Sequence, residues 1–102
     1  MHSKMYILVK DSVSVGYAVN SAAHASLMCY LKFKNHPNMK EWLKNSFRKV
    51  SIKVSGKVFN KAKKFKNRVV FIENDLNNKE VAIAFLPRKK WPKFFSHLQL
   101  YK

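Results

Sequence analysis

Three polar side chains stand at helical spacing in "GYAVNSAAHAS": Tyr17, Ser21 and His24, with Asn20 interleaved. Steps of four and three place them on one face of a helix. A histidine there would serve as a proton shuttle, because its ordinary pKa puts the charge change near neutrality. Among four alanines it reads more readily as a packed imidazole with one ring nitrogen bonded to backbone. Much later, "ENDLNNKE" carries Glu73 and Asp75, two of only five acids in the chain. A carboxylate at such a place can activate water or orient a substrate amine. The other reading is that both cap a turn beside Lys79.

For these residues to meet, the chain must bring two loops to one edge. "KMYILVK" reads as a strand, apolar on both faces from Met5 to Val9 as a central strand requires. After the polar connection "DSVSVG", a helix runs from Tyr17 to about Lys34. Ala18, Ala22, Ala25 and Cys29 form its small-residue face, while Leu27, Met28, Leu31 and Phe33 add bulk. "NHPN" ends it, since the residue before Pro37 is pushed away from helical angles, and a short helix follows in "MKEWLKNSF". "RKVSIKV" alternates like a half-exposed strand. Ser55 then caps a third helix to about Phe65, with Val58, Ala62 and Phe65 inward. "RVVFIE" reads as a buried strand, "NDLNNKE" as an Asn-rich turn and "VAIAFLP" as the strand completing a hairpin; Pro92 opens a last helix over "KFFSHLQ". The order is β-α-α-β-α-β-β-α. The expected fold is α/β: a mixed four-stranded sheet, three strands parallel and one antiparallel hairpin strand, with helices on both faces. Ligands gather beyond the carboxyl ends of parallel strands. Here those ends are the loop from Lys10 to Gly16 and the turn at Glu73, on one edge.

Composition narrows the class of function. At 102 residues, 47% hydrophobic with two glycines and three prolines, the chain fits one packed domain, residues 1–102. Twenty-one Lys and Arg against five acids leave a net charge of +16. Self-repulsion on that scale points to a polyanionic partner, nucleic acid before anionic membrane, the alternative being lysines that serve solubility alone. Cys29 is the one cysteine, which leaves no intramolecular disulfide and no cysteine metal cluster, and fits a reducing cytoplasm. "MHSKMYILVK" reaches Lys10 after five apolar residues, too few for a membrane span or signal core, so no membrane insertion is expected. No metal or cofactor is expected, and a homodimer stays open.

The cations cluster twice. Lys57, Lys61 and Lys64 align on the third helix opposite its apolar stripe, and Lys63, Lys66 and Arg68 extend the patch without an acid between. Like charges at that spacing cost a helix about 0.2–0.5 kcal/mol per pair unless an anion arrives, and a phosphate backbone would be that anion. The second cluster, "PRKKWPKFF", mixes Arg88, Lys89, Lys90 and Lys93 with Trp91, Phe94 and Phe95. Trp91 would either stack on an unpaired base or pack beneath the last helix.

Read as a whole, "KMYILVKDSVSVGYAVNSAAHASL" resembles the opening of type-2 peptidyl-tRNA hydrolases: a strand ending in a basic residue and Asp, then a small-residue helix ending in Ala-His-Ala. "FRKVSIKVSGKVFNKAKKFKNRVVFIEND", "VAIAFLP" and "SHLQLYK" resemble the rest of that family's chain. The resemblance implies an RNA-binding protein acting on the ester between peptide and tRNA. The family's helix-start lysine falls at Tyr17, its glutamine one turn later at Ser21 and its aspartate at Glu73 or Asp75; His24 matches. The family's threonines have no counterpart, since the chain contains no Thr. Lys10 would restore the charge lost at Tyr17. A hydrolase, a non-catalytic binder of tRNA or other nucleic acid, and an adaptor for an acidic protein all remain open on these residues.

Overall fold

A computed structural model of the chain describes residues 2–98. The strands are β1 (Lys4–Lys10), β2 (Arg48–Val54), β3 (Arg68–Glu73) and β4 (Lys79–Phe85). The helices are α1 (Val15–Phe33), α2 (Pro37–Asn45), α3 (Gly56–Ala62) and α4 (Lys93–Ser96), and a 3-10 turn (Asn74–Leu76) links β3 to β4. The chain order of strands and helices is as expected. The third helix stops at Ala62, short of Phe65. Of the last helix, Gln99 lies outside the described residues, as does the tail from Leu100 to Lys102.

Strand pairing departs from expectation. The sheet order is β2-β1-β4-β3. Only β1 and β2 pair in parallel, while β4 is antiparallel to both β1 and β3. A block of three parallel strands does not form. The cause is burial: β1 and β4 are buried on both faces and take the interior, whereas β2 alternates and β3 leaves Ile72 47% exposed, so both become edges. "RVVFIE" is therefore a half-buried edge strand. Two antiparallel steps nevertheless return β3 to the direction of β1, so the ends of β1, β2 and β3 share one rim.

Each face of the sheet carries its own half of the core. Met5, Ile7 and Val9 of β1 meet Val81, Ala82 and Ala84 of β4 beneath α1 and α2. Tyr6, Leu8, Ile83 and Phe85 point the other way, against Phe59 of α3 and Phe95 of α4. Local chemistry sets the helix starts: Ser55 Oγ accepts from the Val58 N–H at 3.2 Å, and His36 Nδ1 accepts from the Asn38 N–H at 3.0 Å with Pro37 in the first turn.

The buried stripe of α1 is Ala18, Ser21, Ala25 and Cys29, with Ala22 only half-buried. Small residues thus meet the small Ala82 and Ala84, which lets the helix lie close. Because α1 lies over β4 and β3 as well as β1, it makes little contact with β2, whose start is met instead by Trp42 of α2. Leu27 and Leu31, expected to add bulk along the helix, are 58% and 56% exposed on the side toward β2. Cys29 is fully buried, and burial pushes its thiol up to about 12, with Lys32 pulling weakly the other way. The folded protein is expected to resist iodoacetamide at pH 8 and to react at once when unfolded in urea. The raised thiol contributes stability below its unfolded value of 9.0 that is lost as pH climbs from there toward 12.

Candidate active site and nucleic-acid face

The rim at the carboxyl end of β1 holds a hollow of about 260 Å³ lined by Ser12, Val13, Ser14, Tyr17, Leu76 and Lys79. It joins the β1–α1 loop to the β3–β4 turn, the two segments expected on one edge. Tyr17 is half-buried at the start of α1, one residue beyond the second helical position. Lys79 opens β4 and is paired in register with Glu73, the last residue of β3.

That pairing depends on a bulge. The register shifts between Phe71 and Ile72, so that Phe71 faces Ala82 but Ile72 faces Glu80, and Val81 is the extra residue on β4. Glu80 is thereby turned toward Lys63, 2.6 Å away, while alternation keeps Phe71 and Glu73 on the α1 side. The Glu73 carboxylate accepts from the Asp75 N–H through Oε1 at 3.2 Å and so caps the 3-10 turn. Asn77 and Asn78 follow at φ 57, the left-handed region that Asn tolerates well.

The other expected site residues are distributed unevenly. His24 is exposed on α1 and stacks on Phe71, ring centroids 4.8 Å apart. It is not the enclosed, backbone-bonded residue of the structural reading. Seven residues beyond Tyr17, it lies about 10 Å down the helix. Ser21 is fully buried, and its hydroxyl has no hydrogen-bond partner among the described residues. Asp75 is exposed on the turn. Lys10 continues the alternation of Tyr6 and Leu8 and sets its ammonium 4.7 Å from the Phe59 ring centre, on the α3 side of the sheet and away from α1. Lys79, which lines the hollow, was not among the expected site residues; its signal was a single lysine directly after the Asn pair of a hairpin.

The cations divide between two regions. Lys57 and Lys61 are exposed on α3, and Lys64 and Lys66 are exposed in the turn after it. This track starts at the rim, where β2 ends, and runs to the opposite pole, where β3 begins. Lys63 leaves the patch for Glu80, so an acid does stand within it. Arg68 folds inward, its Nη1 donating to the Phe65 carbonyl at 3.3 Å. At the pole, Arg88, Lys89 and Lys90 are exposed and Lys89 lies 3.8 Å from Glu41; Lys93 is exposed at the start of α4. Trp91 is half-buried: it packs edge-on against Tyr6 and Phe95 and donates its indole N–H to the Arg88 carbonyl at 2.9 Å.

Among the described residues no helix is long and apolar enough to cross a membrane. No curated protein matches the chain. The family model described as Peptidyl-tRNA hydrolase PTH2 matches residues 3–101, which takes in both sides of the rim, the lysine track and the pole. With nearly the whole chain covered, the protein belongs to the peptidyl-tRNA hydrolase PTH2 family.

Proposed function

We propose that the protein binds peptidyl-tRNA and hydrolyses the ester between the peptide and the terminal ribose, with the rim hollow as the place of reaction. Family membership supplies the substrate class; the placement of Lys79 beside Tyr17 in that hollow carries the assignment of roles. Lys79, rather than Lys10, brings the positive charge that the family places at the helix start, and the Tyr17 phenol donates a hydrogen bond. Glu73 is not in the hollow's lining but stands beside it, opposite Lys79 in the β3–β4 register; its carboxylate, with Oε1 committed to the turn, takes a proton from water through its other oxygen. The water oxygen bonds to the ester carbon, the bond from that carbon to the ribose oxygen breaks, and the ribose oxygen takes up the proton that Glu73 removed from water and leaves as a hydroxyl, which returns Glu73 to its carboxylate. Asp75 shapes the turn, and neither His24 nor the enclosed Ser21 enters the bond-breaking step. Lys57, Lys61 and Lys64 hold the tRNA phosphates.

Tyr17 in place of a lysine favours a second reading, a binder of tRNA that does not cleave it. Peptide release from a peptidyl-tRNA by the purified protein decides between them. Turnover that falls by roughly 10²–10⁴-fold in Glu73→Gln establishes the hydrolase; no release with tRNA binding intact leaves the binder. Binding is expected to follow a log-log salt slope of about −4 to −7, for five to eight phosphates engaged. A flat salt response would remove the nucleic-acid partner.

A further inference from the structure

The pole opposite the rim holds a second hollow, of about 220 Å³, built from two kinds of side chain. Its floor is apolar: Phe65 and Trp91, both half-buried, over the buried Phe85, Phe95 and Leu86. Its lip is polar and cationic: Lys66, Arg88, His36, Asn38 and Asn67. No acid lines it. The volume is below the roughly 300–1,000 Å³ of sites for drug-sized ligands and suits one ring system with a charged appendage.

The lip is held in place largely by backbone bonds. Arg88 exchanges two hydrogen bonds with Lys4, at 3.2 and 3.3 Å, and its carbonyl also accepts from Trp91, so the base of this exposed cation is fixed at three points. Its guanidinium carbon lies 5.6 Å from the centre of the Trp91 ring. The Asn67 carbonyl accepts from the Leu86 N–H at 2.8 Å. His36 accepts the Asn38 N–H at Nδ1, which puts the proton of the neutral ring on Nε2 as a donor. The side-chain amides of Asn38 and Asn67 have no hydrogen-bond partner among the described residues, and each offers both a donor and an acceptor.

We infer that this polar hollow is a subsite for a single unpaired nucleotide of a bound RNA. The base lies against the aromatic floor and the Arg88 plane, its edge meets the Asn38 and Asn67 amides, and its phosphate meets Lys66 and Arg88. A base pair would hide the edge that the amides would read, which selects for single-stranded RNA. The lysine track from Lys57 to Lys66 leads directly to this hollow, so one chain of phosphates can pass from rim to pole. The rim and pole are separated by the length of β1, seven residues or roughly 23 Å.

The inference rests on the reading of the protein as an RNA binder and not on its cleaving an ester, so the probe carries no ester. Tryptophan emission of the full chain is followed as hexauridylate is added. Trp42 is 2% exposed in the other half of the core, its indole N–H bonded to the Arg48 carbonyl, and gives a constant background. Hexauridylate is expected to quench the emission, a duplex RNA of equal phosphate count to bind without quenching, and uridine 5′-monophosphate to quench only at much higher concentration. Joint Lys66→Gln and Arg88→Gln substitution weakens hexauridylate at least tenfold and abolishes the quench. Joint Lys57→Gln and Lys61→Gln substitution, which removes the same charge, weakens it a few-fold and keeps the quench. Trp91→Phe removes the signal while anisotropy of labelled hexauridylate still reports binding. Equal losses in the two double variants overturn the subsite, as does quenching by the duplex. Mononucleotide binding as tight as hexauridylate overturns RNA as its source. Failure of peptide release with this pattern intact sinks the hydrolase alone.

Discussion

Replacing Lys79 with Gln lowers peptide release by roughly 10²–10³-fold, the usual loss on removing one group that stabilises charge developing in an acyl-transfer transition state. The substrate affinity changes little, because a single cation among twenty-one Lys and Arg contributes a small share of the attraction to tRNA. The loss therefore appears in kcat, read by single-turnover release at saturating protein. A purely structural role for Lys79 predicts something else. The residue is exposed and sits across the sheet from Glu73, and a cross-strand pair of opposite charges contributes about 0.2–1 kcal/mol, so the urea midpoint moves slightly while turnover survives. Lys79→Arg keeps the charge and recovers part of the rate. Lys10→Gln serves as the comparison, since its ammonium lies over Phe59 on the other side of the sheet; there the rate holds. An unchanged rate in Lys79→Gln, with Lys10→Gln impaired, would reverse the assignment.

Phe59→Ala costs about 3–5 kcal/mol of stability, the range for emptying a fully buried aromatic site. That is a large part of the 5–15 kcal/mol that holds most domains. The site is particularly exposed to such a loss because α3 has only seven residues, too few to persist without tertiary packing, and Phe59 and Ala62 are its buried contacts. A urea titration followed by circular dichroism is expected to show the lower midpoint. RNA binding should weaken in the same variant even under conditions where the sheet remains folded, because Lys57 and Lys61 depend on α3 for their alignment. A midpoint within about 0.5 kcal/mol of the parent chain would mean that neighbouring side chains refill the space.

The two substitutions probe different aspects of the fold, and they were legible to different degrees. Strand identities, helix order and the meeting of the two rim loops follow from local pattern: apolar runs at Met5–Val9, alternation through Val50, Ile52 and Val54, and the Asn-rich turn after Glu73. Their strand direction also survives, since β3 runs as β1 does. The adjacency did not follow, because a hairpin only requires β3 and β4 to be neighbours; which of the two turns inward depends on which has both faces apolar once the helices are packed. Ser21 illustrates the same limit. Its spacing with Tyr17 and His24 suggests one accessible face, but α1 rolls toward β3 and β4, and Ser21 replaces Ala22 in the buried stripe.

By itself, then, the amino-acid order determined that the chain is α/β, strongly cationic, patterned like peptidyl-tRNA hydrolases and equipped with acids at the end of its third strand, because periodicity, charge and turn chemistry are carried by neighbours a few residues apart. Only the tertiary structure decided that Lys79 and not Lys10 stands by Tyr17, that Glu80 draws Lys63 out of the basic patch, and that four aromatic rings gather beneath Arg88 and Lys66. The first two depend on strand parity and on a one-residue bulge at Val81, which exchanges the faces of the side chains beyond it, and the third on the packing of segments far apart in the chain; none leaves a local trace in the sequence.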